Sequence, residues 1–249
     1  RCRSTTRCTI IYCAITGYGQ PGPYKDKAGH DLNFTAYAGA LRSGTRKGGP
    51  PAIPNFQIGD IVGGSLNAAM GILAALVQQK STGEGQYIDV SILDGVLAHS
   101  AVALSHLKSV ELFGMDTSDM LNGMLHFYAL YETKDGKFMA LAALEFKFWQ
   151  RFCEAIGRPA LVNKHLTMGD ESEKVFAELD AVFIEKTQEQ WIAHFKEVDC
   201  CVTPVLSLHD ALNDPHIKAR KTVLIEEHPE EGPVTQFALP LKFSGFDFE

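Results

Sequence analysis

Hydrophobic spacing divides the chain into a few clear segments. The run "TIIYCAI" (residues 9–15) is continuously apolar and reads as a strand. It leaves through "TGYGQPGPY", and a Gly/Pro-rich stretch follows from Gly17 to Gly59. Only "DLNFTAYAGAL" interrupts that stretch. It predicts a short helix capped by Asp31, with Gly39 near its end. From Ile61 to Gln79 apolar residues (Ile61, Val62, Leu66, Met70, Leu73, Val77) occupy nearly every side, which predicts a buried helix. Asp60 stands at its N-cap position, with Gly63 and Gly64 in the first turn. "STGEGQ" closes it, and "YIDVSILDGVLAHSAVALSHL" reads as a short strand running into a second helix.

Between Val110 and Asn122 the periodicity weakens, as in a linker, and then the pattern changes. "MLHFYALYET-KDG-KFMALAAL" is two β-rich runs about an Asp-Gly turn, a hairpin signal. "EFKFWQRFCEAIG" follows as an amphipathic helix, with Phe148, Trp149, Phe152 and Ile156 on one face and Gly157 as its stop. Helices are expected at Ser172–Lys186 and Gln188–Lys196, a strand at "CVTPVLS", and a brief helix at "LHDALNDPHI" ended by Pro215. The tail "HPEEGPVTQFALPLKFSG" is turn- and strand-like. The expected organisation is α/β over residues 1–110, a small α+β domain over 121–222, and a segment over 223–249 returning toward the first.

Composition adds exclusions. A net charge of −7 and a pI near 5.7 argue against sequence-independent nucleic-acid binding. No run of eighteen consecutive apolar residues occurs, so no membrane span is expected. The chain starts at Arg1 without Met or a signal h-region and reads as a piece of a longer protein. Cys2, Cys8, Cys13, Cys153, Cys200 and Cys201 lack C-x-x-C spacing, which favours free thiols in a reducing compartment over a disulfide or zinc framework. A cytoplasmic setting follows, with peroxisome and mitochondrion left open.

Gly17, Gly19 and Gly22 spell G-x-G-x-x-G after the first strand. A dinucleotide site needs a helix opening at the motif's second half and an acidic residue about twenty positions on. Here Pro21 and Pro23 bracket the third glycine, and the later region reads "YAGALRSG". The glycines therefore serve another purpose. "RSGTRKGG" (42–49) is a basic loop that could meet phosphates or simply be exposed; Lys25, Asp26 and Lys27 read as a solvated run, and His99, His106 and Lys108 as helix surface.

Three ionisable residues stand where a side chain is aimed. His30 lies between a glycine and an Asp in "AGHDLNF"; Asp60 opens the apolar helix; Glu145 follows the hairpin. Each has an ordinary alternative: a packed or surface His, an N-cap, a complement to a helix dipole. Together, an imidazole and a carboxylate suit removal and return of a proton beside a carbonyl, each base contributing about 10²–10⁴-fold. An enolate also needs donors, and the first-turn N–H groups after Asp60 offer them. Gly59, Gly63 and Gly64 would let a carbonyl oxygen come close. No Cys/His set has metal-ligand spacing.

"ITGYGQPGPY", "AGHDLNF", "IGDIVGGSLNAAMGILAAL", "STGEGQYIDVSILDG", "YETKDGKFMALAALEFKFW" and "CVTPVLS", in this order, resemble successive motifs of the family III CoA-transferase and α-methylacyl-CoA racemase superfamily. The resemblance implies part of a doubly wound large domain plus a smaller α+β domain, in an interlocked homodimer. It also implies that the chain starts after the N-terminal CoA-binding half of such proteins. It implies an acyl-CoA thioester as substrate, CoA being part of that substrate and no further cofactor being needed. His30 and Asp60 would be opposed α-proton bases, with Glu145 polarising His30, and Gly29, Asp31, Leu32, Asn33 and Phe34 would line the site with His30. A His at position 30 favours the racemase branch. In the transferase branch the Asp at 60 would carry the acyl group covalently. A non-catalytic piece lacking the CoA half is the third alternative. Phe34, Met124 and Phe127 are candidate acyl-pocket residues.

Overall fold

The computed structural model describes residues 9–41, 50–113 and 120–245, so the basic loop at 42–49 lies outside the described residues, as does 114–119 of the expected linker. The chain is mixed α/β and forms two compact units, Arg1–Ala129 with Asn163–Phe176, and Leu130–Val162 with Ala177–Glu249.

In the first unit, β1 (Tyr12–Thr16) and β2 (Tyr87–Ser91) pair in parallel, Tyr12 opposite Tyr87 and Thr16 opposite Ser91. Parallel partners need a long crossover. Here it carries α1 (Asp31–Tyr37), a π-wound segment (Gly59–Leu66) and, continuous with it, α2 (Asn67–Thr82). Side chains take up carbonyls in the widened turns: Ser65 Oγ donates to the Asp60 carbonyl at 3.0 Å and Asn67 Nδ2 to the Gly63 carbonyl at 2.9 Å. Gly83, at φ +73°, ends α2 in the left-handed conformation that suits glycine. Ser91 then accepts the Asp94 N–H at 3.1 Å and caps α3 (Ile92–His99); α4 (Ala101–Phe113) follows after a break at Ser100.

Two sequence expectations change here. The helix after Asp60 is not buried: Leu73 and Val77 are 63% and 71% exposed, and its packed side is the glycine- and alanine-rich one. Moreover, helical winding runs unbroken over the 24 residues Gly59–Thr82, beyond the expected Ile61–Gln79, and its most apolar 18 residues average a hydropathy of 1.6, a length and composition that packed core helices share with membrane spans. The polar residues that interrupt its apolar run do not interrupt the helix.

A three-stranded sheet, in the second unit but for the first two residues of β3, has the order β3 (Tyr128–Glu132), β4 (Phe138–Ala142), β5 (Val202–Pro204). The Asp-Gly turn is present: Gly136 has φ +71°, and Asp135 Oδ1 accepts both the Thr133 hydroxyl at 2.6 Å and the Gln188 N–H at 2.9 Å. One turn residue thus also anchors the start of α7 (Gln188–Phe195). Trp149 and Phe152 of α5 (Phe146–Ala155), Phe183 of α6 (Asp170–Phe183) and Trp191 of α7 form an aromatic core, each no more than 1% exposed. The indoles are satisfied, Trp149 donating to the Leu161 carbonyl at 2.9 Å and Trp191 to that of Phe183 at 2.8 Å. Pro215 does not merely end a helix. α8 (Leu208–Asn213) stops before it, and α9 (Pro215–Ala219) starts on it, with Asp214 as N-cap. Proline is at home in a first turn, where its missing N–H has no intrahelical acceptor. β6 (Val223–His228) and β7 (Gly232–Phe237) close the unit as a hairpin.

Candidate active site

The glycines after β1 have structural duties. A side chain at Gly17 would come within 2.3 Å of the Phe34 ring, and one at Gly29 within 2.7 Å of that ring and 2.9 Å of the Tyr18 hydroxyl. Phe34, only 4% exposed, is thus clasped between the two ends of the loop. It is a core residue and not an open acyl-pocket wall. Phe127, 3% exposed against the His165 ring at 4.3 Å, is equally enclosed. Gly19 and Gly22 have φ of +82° and +102°, which accounts for glycine at both.

The run Lys25–Lys27 is not simply solvated. Lys27 Nζ lies 4.7 Å from the ring centroids of both Tyr24 and Tyr37 and donates to the Tyr37 hydroxyl at 2.5 Å. The hydrogen bond and charge of Lys27 lower the Tyr37 phenol's pKa, while the Lys27 ammonium is raised chiefly by the same bond. The cluster ties the loop just before His30 to the end of α1. Its only sequence signal is the interleaving of Tyr and Lys.

His30, not Asp31, is the N-cap of α1. Its backbone N–H donates to Asn33 Oδ1 at 3.1 Å, and its side chain is exposed. Leu32 and Asn33 are exposed beside it. Asp31, freed from capping its own helix, reaches another: Oδ1 accepts the Asp60 N–H at 3.0 Å. Gly59 permits this approach, because a Cβ there would lie 2.8 Å from the same oxygen. Asp60 is not an N-cap either. Ile58 already has helical angles, φ −62° and ψ −34°, which places Asp60 inside the first turn. The Asp31–Asp60 bond brings the strand-to-helix corner bearing His30 against the helix tip bearing Asp60.

Gly63 and Gly64 do not open toward a ligand. Their side-chain positions face α3, with Ile92 O at 2.6 Å from Gly63 and Ile92 Cγ1 at 3.1 Å from Gly64. Nor is the Asp60 amide free for an oxyanion, since the Asp31 carboxylate holds it.

Glu145 belongs to the second unit, as the N-cap of α5, its carbonyl accepting the Phe148 and Trp149 N–H groups at 2.9 and 3.2 Å. It stands one position before the first turn in which a dipole complement would sit. Nearby, Cys201 has φ +57°, and burial, followed by the Glu145 and Asp199 charges, raises its thiol pKa. Burial pushes Cys153 up to about 12 and Cys200 up to about 11, so both are inert thiols. Among the described residues no group of three His, Cys, Asp or Glu side chains could hold a metal ion.

This architecture is that of a known class. A CAIB/BAIF family protein from Brucella suis superposes with a TM-score of 0.76 at 22% identity, over 97% of this chain and 63% of that one. A sequence model of CoA-transferase family III matches residues 4–249, and the chain belongs to that family. It is 34% identical to human alpha-methylacyl-CoA racemase over 90% of this chain and 59% of the racemase. It is 27% identical to human succinyl-CoA:glutarate CoA-transferase, over 95% of this chain and 55% of that protein. The chain therefore spans somewhat over half the length of these relatives.

Proposed function

We propose that the chain carries the proton-transfer centre of a racemase acting on 2-methylacyl-CoA thioesters. The observation that supports this most is the Asp31–Asp60 hydrogen bond, which joins the segment bearing His30 to the helix tip bearing Asp60. Similarity to racemases at 34% identity points the same way.

In one direction the His30 imidazole removes the proton from C2. The C–H electron pair enters the C2–C1 bond, the thioester oxygen becomes an enolate, and protonated Asp60 returns a proton to the opposite face. The other epimer uses the two groups in reverse. Only protons move, no redox equivalent is consumed, and CoA enters as part of the substrate. Since the Asp60 amide is already engaged, we assign the enolate oxygen to the opening N–H groups of α1, at Asp31 and Leu32. First-turn amides have no acceptor within their own helix. The role of Glu145 in polarising His30, and a homodimeric assembly, rest on the family resemblance.

A second reading has one observation behind it, the similarity to a CoA-transferase. Asp60 would attack the thioester carbonyl and expel CoA thiolate, leaving an acyl–aspartyl anhydride. The thiolate would attack the aspartyl carbonyl and release the first acid, and the acceptor carboxylate would displace the thiolate from the aspartyl thioester before the thiolate takes the new acyl group and frees Asp60.

Incubation with either epimer in D₂O should exchange the α-hydrogen and converge on one equilibrium mixture. His30→Ala, Asp60→Ala and Glu145→Gln should each slow turnover by about 10²–10⁴-fold. No exchange from either epimer, with no heat of CoA binding, overturns the proposal. Thioester-dependent trapping by hydroxylamine with a required acid acceptor replaces it by the second reading.

A further inference from the structure

We propose that Asp31 is a positioning residue for this chemistry: its carboxylate sets the carboxylate base at 60 relative to the imidazole at 30. The inference rests on the racemase reading above.

The two bases are borne on elements whose only covalent link is the chain between positions 30 and 60, so their separation must be fixed by contacts. Asp31 is immobilised from both sides. Its carbonyl accepts the hydroxyl of Thr35, which is 0% exposed, at 2.8 Å, and its Oδ1 accepts the Asp60 N–H at 3.0 Å. The second bond joins a carboxyl oxygen to an amide at the positive end of a helix, where an acidic side chain is favourably placed. Gly59 completes the fit, since a methyl group there would lie 2.8 Å from Oδ1 and 3.4 Å from Thr35 Cγ2. Asp31 thus acts through Asp60. A misplacement of about 1 Å in such a centre can slow it about 10²-fold.

In a two-base reaction each epimer is deprotonated by one base, so displacing only Asp60 has an asymmetric signature. Asp31→Ala should cut inversion, and deuterium exchange of the epimer deprotonated by Asp60, about 10- to 100-fold. Exchange for the other epimer, served by His30, should fall by a clearly smaller factor, since the main-chain N–H at position 31 is retained, with kcat affected more than KM. Gly59→Ala, pushing from the opposite side, should reproduce the asymmetry. Asp31→Asn keeps the acceptor oxygen and should restore both exchanges. Amide hydrogen exchange at Asp60 supplies a readout independent of turnover: protection should persist in wild type and Asp31→Asn and vanish in Asp31→Ala. Equal slowing of both epimers, or an Asp60 amide that stays protected in Asp31→Ala, overturns the inference. Absence of exchange in the wild type defeats the racemase reading, and amide protection then still decides whether Asp31 fixes Asp60.

Discussion

His126 is fully buried, its Nδ1 2.9 Å from the Ser172 hydroxyl. Burial, with a smaller contribution from His165, lowers its pKa to about 4, against backbone hydrogen bonds with Lys164 and His165 that act to raise it. The unfolded imidazole, near 6.5, binds protons before the folded one does. Its contribution is therefore complete above pH 6.5 and is lost as pH falls toward 4, on the order of 3 kcal/mol in all. Urea unfolding of wild type and His126→Gln at pH 7.5 and 4.5 checks this. The variant should be weaker at the higher pH and lose distinctly less between the two. At this scale the sequence singles out His30, Asp60 and Glu145 by residue type and setting, whereas the use of Asp31 is hidden in it. An Asp after an N-cap residue looks local, yet its partner is 29 positions away. Lys27 is hidden for the same reason: three charged letters in a row do not show two tyrosine rings folded around the last.

Gly63 and Gly95 let the π-wound segment and α3 touch backbone to backbone. A Cβ on Gly95 would fall 2.2 Å from the Gly63 carbonyl oxygen, and one on Gly63 would fall 2.6 Å from that of Ile92. These obstacles are main chain and cannot rotate away. Gly95→Ala should accordingly cost about 1–3 kcal/mol or more, read as a lowered thermal midpoint of the chain, despite alanine's better helix propensity. Elements whose signals are local are legible in sequence: the Asp135-Gly136 turn, the amphipathic face of α5 with Gly157 at φ +69° behind it, and the strand pair at Val90 and Ile15. Cap positions at Asp31 and Asp60 are not, because both residues use their polar groups on a contact distant in sequence. Widening of the helix at Gly59–Leu66 is also not legible, and it coincides with the close seat of α3 on its glycines.

On the molecular scale, one property follows directly from the exposed apolar side of α2, where Met70, Leu73 and Val77 are all more than half exposed. Apolar surface of this extent recruits dyes and other apolar surfaces. The native chain should enhance ANS fluorescence without denaturant, and Leu73→Lys with Val77→Lys should reduce that signal and any self-association at unchanged far-UV circular dichroism. Undiminished dye binding would show that this face is not the one responsible. Both tryptophans lie in the second unit, so their emission reports on the aromatic core there. By itself the sequence determined the mixed α/β class, the family and the residue types available for proton chemistry, because these reside in periodicity and in short ordered motifs. Only the tertiary structure decided which glycines admit backbone, which face of an all-round apolar helix stays open, and which carboxylate holds the helix tip. Each depends on distances between segments that no local pattern encodes.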